Sequence, residues 1–374
     1  MTPPRPGIDP ELRALLDGLP SVPALTPEFV AELRLLPTPP IEPFLQDRAI
    51  THTEVAVPAP DGTPIPLSIF SPADPRTPAP CVYWIHGGGM IMGNRFANID
   101  LPLEWADRFG AVVVSVDYRL APEATGTTLV EDCYHGLLWT TGHATALGID
   151  PTRVVIAGIS AGGGLAAGTA LLSRDRGTPP LAAQLLICPM LDHRNTTTSS
   201  HQYSGTETPG TRPPVTENPG DRTSGTRHPA TENPDGQTSG TPDRGDQNLW
   251  TREMNEFGWH AVLGEDPGPY VPVYVSPALA DDLSGLPPTY IDAGTAELFR
   301  DEDVDYATRI WAAGGQADLH IWSGGFHAFD ALFPQAALST AARRTRNDWL
   351  SRVLTPSGPL PPPPQSPSSR DDRR

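Results

Sequence analysis

Residues 153–164 read RVVIAGISAGGG, and no other stretch constrains the fold of this chain as tightly. An apolar β-branched run (153–157) passes at once into Gly158-Ile159-Ser160-Ala161-Gly162, and small residues then open a helix. The Gly-x-Ser-x-Gly pattern fits a turn so tight that the residues two places either side of the serine must be almost free of side chain. Such a turn thrusts the serine clear of a buried strand and sets a helix N-terminus behind it. The bare pattern occurs by chance in glycine-rich chains; the strand before it and the helix after it give this copy its meaning. A strand feeding a helix in this way is the building unit of an α/β architecture with a parallel sheet.

His86-Gly87-Gly88-Gly89 follows the apolar run 81–85 and is an independent second signal. Glycine amides can approach a substrate oxygen closely, so those of Gly88 and Gly89, with the amide of Ala161, can form a three-donor oxyanion hole. The bland alternative is a plain glycine turn after a strand. Two such motifs in this order, each at the C-terminal end of a strand, argue against it. His86 itself is expected to orient the loop by hydrogen bonding rather than to act as a base.

A nucleophilic serine needs a base, and the base needs an orienting acid. Of the ten histidines, His327 lies in GGFHAF (324–329), a glycine-hinged loop after the expected strand 319–322, where a side chain can lean over the sheet edge toward Ser160. His52, His135, His143, His228 and His260 read as surface or packing residues, His320 as a face histidine within a strand, and His193 as a lesser candidate. Glu297 lies just past the strand and turn at 289–294 and 30 residues before His327, room for one helix and one returning strand. It is the expected acid. Asp301, the runner-up, reads better as a helix N-terminal residue favoured by the macrodipole, and Asp292 as a residue held at the end of the strand. The order Ser160, Glu297, His327 is the α/β-hydrolase order and neither of the serine-protease orders.

The rest of the chain alternates in the same way. Strands are expected at 53–57, 67–70, 81–86, 111–117, 153–157, 184–188, 289–292 and 319–322, and helices at 103–109, 129–147, 163–174, 298–313 and 335–353. Eight strands suit a large, mostly parallel sheet flanked by helices, with the first two forming an antiparallel hairpin. Residues 8–45, with helical pieces at 9–16 and 27–36, fall outside the alternation, as do 190–270. Residues 204–247 hold a 15-residue repeat, GTRPPVTENPGDRTS followed by GTRHPATENPDGQTS. Neither unit has an apolar face for stacking, so a disordered insertion is expected rather than a solenoid. The run 355–374, with Pro361 to Pro364 in a row, reads as a Pro-rich polar tail.

Composition narrows the function. With 38% hydrophobic residues the chain can bury a sizeable core, and a formal charge of −18 leaves no basic footprint for nucleic acid or an anionic lipid surface. All 26 basic residues are arginine, which removes Schiff-base and Ser-Lys chemistry. Cys81, Cys133 and Cys188 lie in apolar or helical stretches and read as buried free thiols of a reducing compartment. No leader or membrane-spanning run is legible, and a cytoplasmic location is expected. No Cys/His cluster suggests a metal, and neither metal nor organic cofactor is expected.

HGGG at 86–89, YRLAPE at 118–123, GISAGG at 158–163, AELFRDED at 296–303 and GGFHAF at 324–329 together resemble the hormone-sensitive-lipase-like branch of the α/β hydrolases, the bacterial carboxylesterases. The match spans roughly residues 45 to 355 apart from the insertion. The resemblance implies an α/β-hydrolase core at 46–190 and 270–355, and carboxylic-ester hydrolysis. It further implies a cap built from 1–45 and 191–269 that shapes the acyl pocket. It makes Tyr118 to Glu123 a structural turn, and it puts Glu297 where that branch more often has Asp. Ile159 departs from the Asp or Thr usual before the serine. The expected partner is a small-molecule ester of short to medium acyl chain, with a homodimer left open. Amidase or peptidase action on the same triad, a non-catalytic ligand-binding module and a Pro-rich scaffold are the alternatives.

Overall fold

The computed structural model describes residues 4–20, 23–37, 40–74, 78–204 and 250–355; apart from Ser204 the repeats lie outside these, as does the tail from 356. The eight expected strands are present as β1 (Ile50–Pro58), β2 (Pro64–Pro72), β3 (Ala79–Ile85), β4 (Val112–Val116), β5 (Ile149–Ile159), β6 (Ala183–Ile187), β7 (Thr289–Ala296) and β8 (Ala317–Phe326). They form one sheet in the order β1-β2-β4-β3-β5-β6-β7-β8. Strand β2 pairs antiparallel with both β1 and β4, and every other pairing is parallel.

Strands β3, β4 and β6 are buried along their whole length, as a parallel sheet covered on both faces requires. Their side chains divide with a period of two. Cys81, Tyr83 and Ile85 pack with Leu129, Val130 and Leu165 from helices Thr128–Gly142 and Ala161–Arg176. Val82 and Trp84 point the other way, onto Leu103, Trp105 and Leu350 from helices Asp100–Phe109 and Ala337–Leu354.

Two expectations need correction. The helix expected over 129–147 is broken at His143, with a short piece at Ala144–Leu147; the poor helix former Gly142 closes the first part, and the His143 ring turns back to Trp139 O at 2.8 Å. Strands β7 and β8 each run four residues further than expected. Gly294 and Gly325, which read as turn residues, lie backbone to backbone, so that a β-carbon on Gly294 would strike Gly325. This close approach lets Ala296 pair with Phe326, which brings the two strand ends level.

Candidate active site

Four strand ends meet at one edge of the sheet. Ser160 follows β5, His86 and Gly87 follow β3, Glu297 follows β7, and His327 follows β8. Ser160 has φ 58° and ψ −123°, the strained backbone of a sharp elbow, held by Ser160 N–H donating to Ile187 O at 2.8 Å and by Met190 N–H donating to Ser160 O at 3.0 Å. A β-carbon on Gly162 would collide with the carbonyl groups of Ile85 and His86, so the elbow closes against the β3 end only with glycine there.

His327 Nε2 lies 2.9 Å from Ser160 Oγ, and His327 Nδ1 lies 2.7 Å from Glu297 Oε2. All three side chains are buried. A carboxylate only accepts, so Nδ1 carries the proton, and the Nε2 lone pair is left to accept from the serine hydroxyl. The Phe299 ring meets the imidazole edge to face, with centroids 5.2 Å apart. Glu297 Oε1 is buried without a hydrogen-bond partner among the described residues.

The amides of Gly88, Gly89 and Ala161 donate to no backbone carbonyl among the described residues, which leaves the three expected oxyanion donors available. His86 is fully buried, with Nδ1 2.7 Å from Gly87 O and its ring stacked on Tyr118, whose hydroxyl donates to His86 O at 3.0 Å. Burial pulls the His86 pKa below the ordinary histidine value, the state of a neutral orienting group. The YRLAPE turn is thus tied to the glycine loop. A cavity of about 640 Å³ opens beside that loop, with Leu33, Leu36, Gly88, Met92, Asn94 and Leu120 among its walls. Its size suits a small ligand. Ser160 is not on its wall; Gly87 and Gly88 form the shared edge. The Trp250 ring lies directly over Gly89.

The competing residues are engaged elsewhere. Asp301 accepts from Ser199 N–H at 2.7 Å, His193 is 3.0 Å from Ser276 Oγ, and His320 is sandwiched between Tyr290 and Trp322. Asp292 pairs with the buried Arg346 at 2.9 Å. His228 lies outside the described residues.

Three features escaped the sequence. Glu302 and Asp303, near the start of the expected helix 298–313, are both buried; Glu302 accepts from Leu191 N–H at 2.7 Å and Asp192 N–H at 3.2 Å. Burial pushes both carboxyls well above the usual range, with nearby Glu297 adding to the shift at Asp303. Asp330 joins Asp292 on Arg346, in an ion group spread over 54 residues of chain. Cys188 follows β6 and comes beside Glu297 and His327, so the fold assembles a Cys/Glu/His group that no spacing in the sequence announces.

An elbow serine joined through an imidazole to a carboxylate, on a sheet of this topology, is the arrangement of an α/β hydrolase. The chain belongs to that family: the sequence model for the alpha/beta hydrolase fold matches residues 82–221 and 222–331. It is 33% identical over 348 residues to carboxylesterase NlhH of Mycobacterium tuberculosis, covering 90% of this chain and 94% of that protein. It is 29% identical to the arylacetamide deacetylase of Bos taurus, with 78% of each chain covered. Among solved structures it resembles a bacterial heroin esterase, with a TM-score of 0.75 and 34% identity over 93% of this chain and 98% of that one. No helix among the described residues is long and apolar enough to cross a membrane.

Proposed function

We infer that this protein hydrolyses carboxylic esters of small molecules through an acyl-enzyme on Ser160. The observation that carries this reading is the unbroken line of hydrogen bonds from Ser160 Oγ through His327 to Glu297, 2.9 Å and 2.7 Å long. His327 Nε2 takes the hydroxyl proton as Oγ attacks the ester carbonyl, and the amides of Gly88, Gly89 and Ala161 receive the charge that develops on the carbonyl oxygen. Glu297 stabilises the imidazolium, which then protonates the departing alcohol. Water, deprotonated by the same imidazole, releases the acid and restores Ser160.

The cavity beside Gly88 is read as the substrate pocket, and esters of short to medium acyl chain as its substrates. The described residues of 1–45 and 191–269 are read as two halves of one cap. Arg5 donates to Ser204 O at 2.9 Å, and Arg34 donates to Ile91 O at 2.6 Å and pairs with Glu123. From the second half, Val262 O accepts from Gly126 N–H at 2.9 Å. Three buried free thiols suit a reducing, cytoplasmic compartment.

Amide cleavage is the second reading, favoured by the likeness to arylacetamide deacetylase. Both are tested by assaying p-nitrophenyl esters from acetate to palmitate alongside the matching anilides, with wild type and Ser160→Ala. Ester turnover that falls off with chain length and vanishes in Ser160→Ala supports the first reading; faster anilide cleavage supports the second. No turnover of either in the folded wild type refutes both and leaves a binding module.

A further inference from the structure

Cys188 has no part in that reaction, yet the sheet delivers it to the triad. Ile187 pairs with Ile159 of β5 on one side and with Asp292 of β7 on the other, so the next residue emerges between the serine and the acid. One ligand atom each from Cys188, Glu297 and His327 lies within 4.8 Å of the others, and all three side chains are buried. Glu297 Oε1, buried and without a partner among the described residues, is a further acceptor in the same place. Thiolate, carboxylate and imidazole make up the mixed donor set that Zn²⁺ and its chemical relatives take.

We propose that Cys188 Sγ, a Glu297 carboxylate oxygen and His327 Nδ1 form an inhibitory site for a thiophilic divalent cation of the Zn²⁺ class. Its effect on turnover rests on the triad reading above; binding of the ion does not. The charges suit the place, because one thiolate and one carboxylate balance a doubly charged ion and leave a neutral buried unit. The sizes are close. Bonds of about 2.0 to 2.3 Å in a tetrahedron set ligand atoms roughly 3.3 to 3.8 Å apart. The Glu297–His327 pair is already nearer than that, and the sulfur has on the order of 1 Å to move in from the 4.8 Å limit.

The proton accounting explains why binding would inhibit. Cys188 gives its thiol proton to solvent as the S–metal bond forms. The metal takes the Nδ1 lone pair only when the Nδ1 proton has left, and the neutral imidazole then carries its proton on Nε2. That N–H faces Ser160 Oγ and donates where it had accepted. One proton is released overall, the imidazole keeps one, and the serine has lost its base. The substrate pocket stays open, so kcat falls while KM holds.

The test titrates wild type, Cys188→Ala and Ser160→Ala with Zn²⁺ during p-nitrophenyl butyrate hydrolysis, and with Co²⁺ by absorbance. Zn²⁺ should lower wild-type kcat at least about tenfold with KM unchanged and EDTA reversing the loss; Cys188→Ala should keep its metal-free rate and need at least about tenfold more Zn²⁺ for equal inhibition. Co²⁺ should give a thiolate-to-cobalt charge-transfer band at one equivalent in wild type and in Ser160→Ala, and none in Cys188→Ala. If Ser160→Ala hydrolyses ester normally, the triad reading fails while the cobalt band still decides the site. No such band in wild type, or equal Zn²⁺ sensitivity in Cys188→Ala, overturns the proposal. Should Cys188→Ala fold poorly by circular dichroism, His327→Gln replaces it in the Co²⁺ titration: loss of the band supports the site and its persistence refutes it.

Discussion

Replacing Arg346 by methionine tests what holds the His327 side of the site in place. Arg346 is 1% exposed, Asp292 2% and Asp330 1%. The guanidinium donates from Nη2 to Asp292 at 2.9 and 3.2 Å and from Nη1 to Asp330 at 2.8 Å. It thereby ties helix Ala337–Leu354 to β7 and to the segment three residues beyond His327. Arg346→Met keeps much of the aliphatic bulk, leaves buried Asp292 without its cation and leaves Asp330 only the longer pairing with Arg343 at 3.8 Å. Removing one partner of a buried ion pair costs about 3 to 5 kcal/mol, from a total stability on the order of 5 to 15. Tyr290 and Trp322 still donate to Asp292, at 3.3 and 3.4 Å, which argues against a larger loss. At about 2 to 4 °C per kcal/mol, Tm should fall by roughly 6 to 20 °C. The pH dependence gives a sharper signature. Burial already pushes Asp292 up against the pull of Arg346. Without the arginine, the folded-state Asp292 carboxyl should bind its proton more tightly than in the unfolded chain. Folding then takes up protons, so the deficit is greatest at alkaline pH and shrinks as pH falls. Urea unfolding of wild type and variant at pH 8 and pH 5, followed by circular dichroism, measures this. A deficit under about 1 kcal/mol at pH 8, or one equal at both pH values, would refute the reasoning. Combining Arg346→Met with Asp292→Asn and Asp330→Asn should recover most of the loss.

Ser160→Ala, His327→Ala and Glu297→Ala should each lower kcat on the order of 10³ or more in steady-state ester hydrolysis. Asp301→Ala, whose carboxylate serves Ser199, should cost less than about tenfold, and a larger loss there than at Glu297 would exchange their roles. Gly162→Ala should give insoluble or inactive protein, since its β-carbon strikes the β3 end; a stable, active variant would contradict the elbow packing. Glu302 binds its proton more tightly folded than unfolded, so its contribution to stability is present at low pH and declines as pH rises through the elevated folded value. Glu302→Gln should flatten that decline in urea midpoints between pH 6 and 9, and an unchanged slope would count against a neutral Glu302.

What the sequence made legible was local. Each strand core, the elbow at Ser160 and the glycine loop at 86–89 are written in contiguous residues, because turn sterics and side-chain periodicity act over a few positions. Glu297 and His327 were legible for a related reason: each stands immediately after a recognisable strand, and strand ends of a parallel sheet lie along one edge. The residues that escaped depend on what packs over them. Nothing near Glu302 in the sequence shows that the Leu191 and Asp192 amides will cover it, nor does any local pattern join Arg346 to Asp292 across 54 positions. Glycine was read as a breaker at 294 and 325, whereas two glycines facing each other extend the pairing. Cys188 looked like an ordinary core thiol because the order of β5, β6 and β7 in the sheet, which sets its neighbours, is written nowhere in its own surroundings.

The strand-end origin of the site also bears on how such a protein can change. The separations among Ser160, Glu297 and His327 are fixed by hydrogen-bonded spacing between strands and not by the connections that join them. The connection from β6 to β7 runs from residue 188 to 288 and holds the low-complexity repeats, yet the strands at its two ends remain paired neighbours in register. The flanks of that connection carry Met190 and Trp250, which touch the elbow and the glycine loop, but the length and composition of the repeats within it are nearly free variables for evolution or for an engineer. Domains, tags or sensing loops could be grafted there with the reactive atoms left in place. An insertion of even one residue within β5 or β7, by contrast, would shift the elbow or the acid along the edge and turn neighbouring side chains to the opposite face.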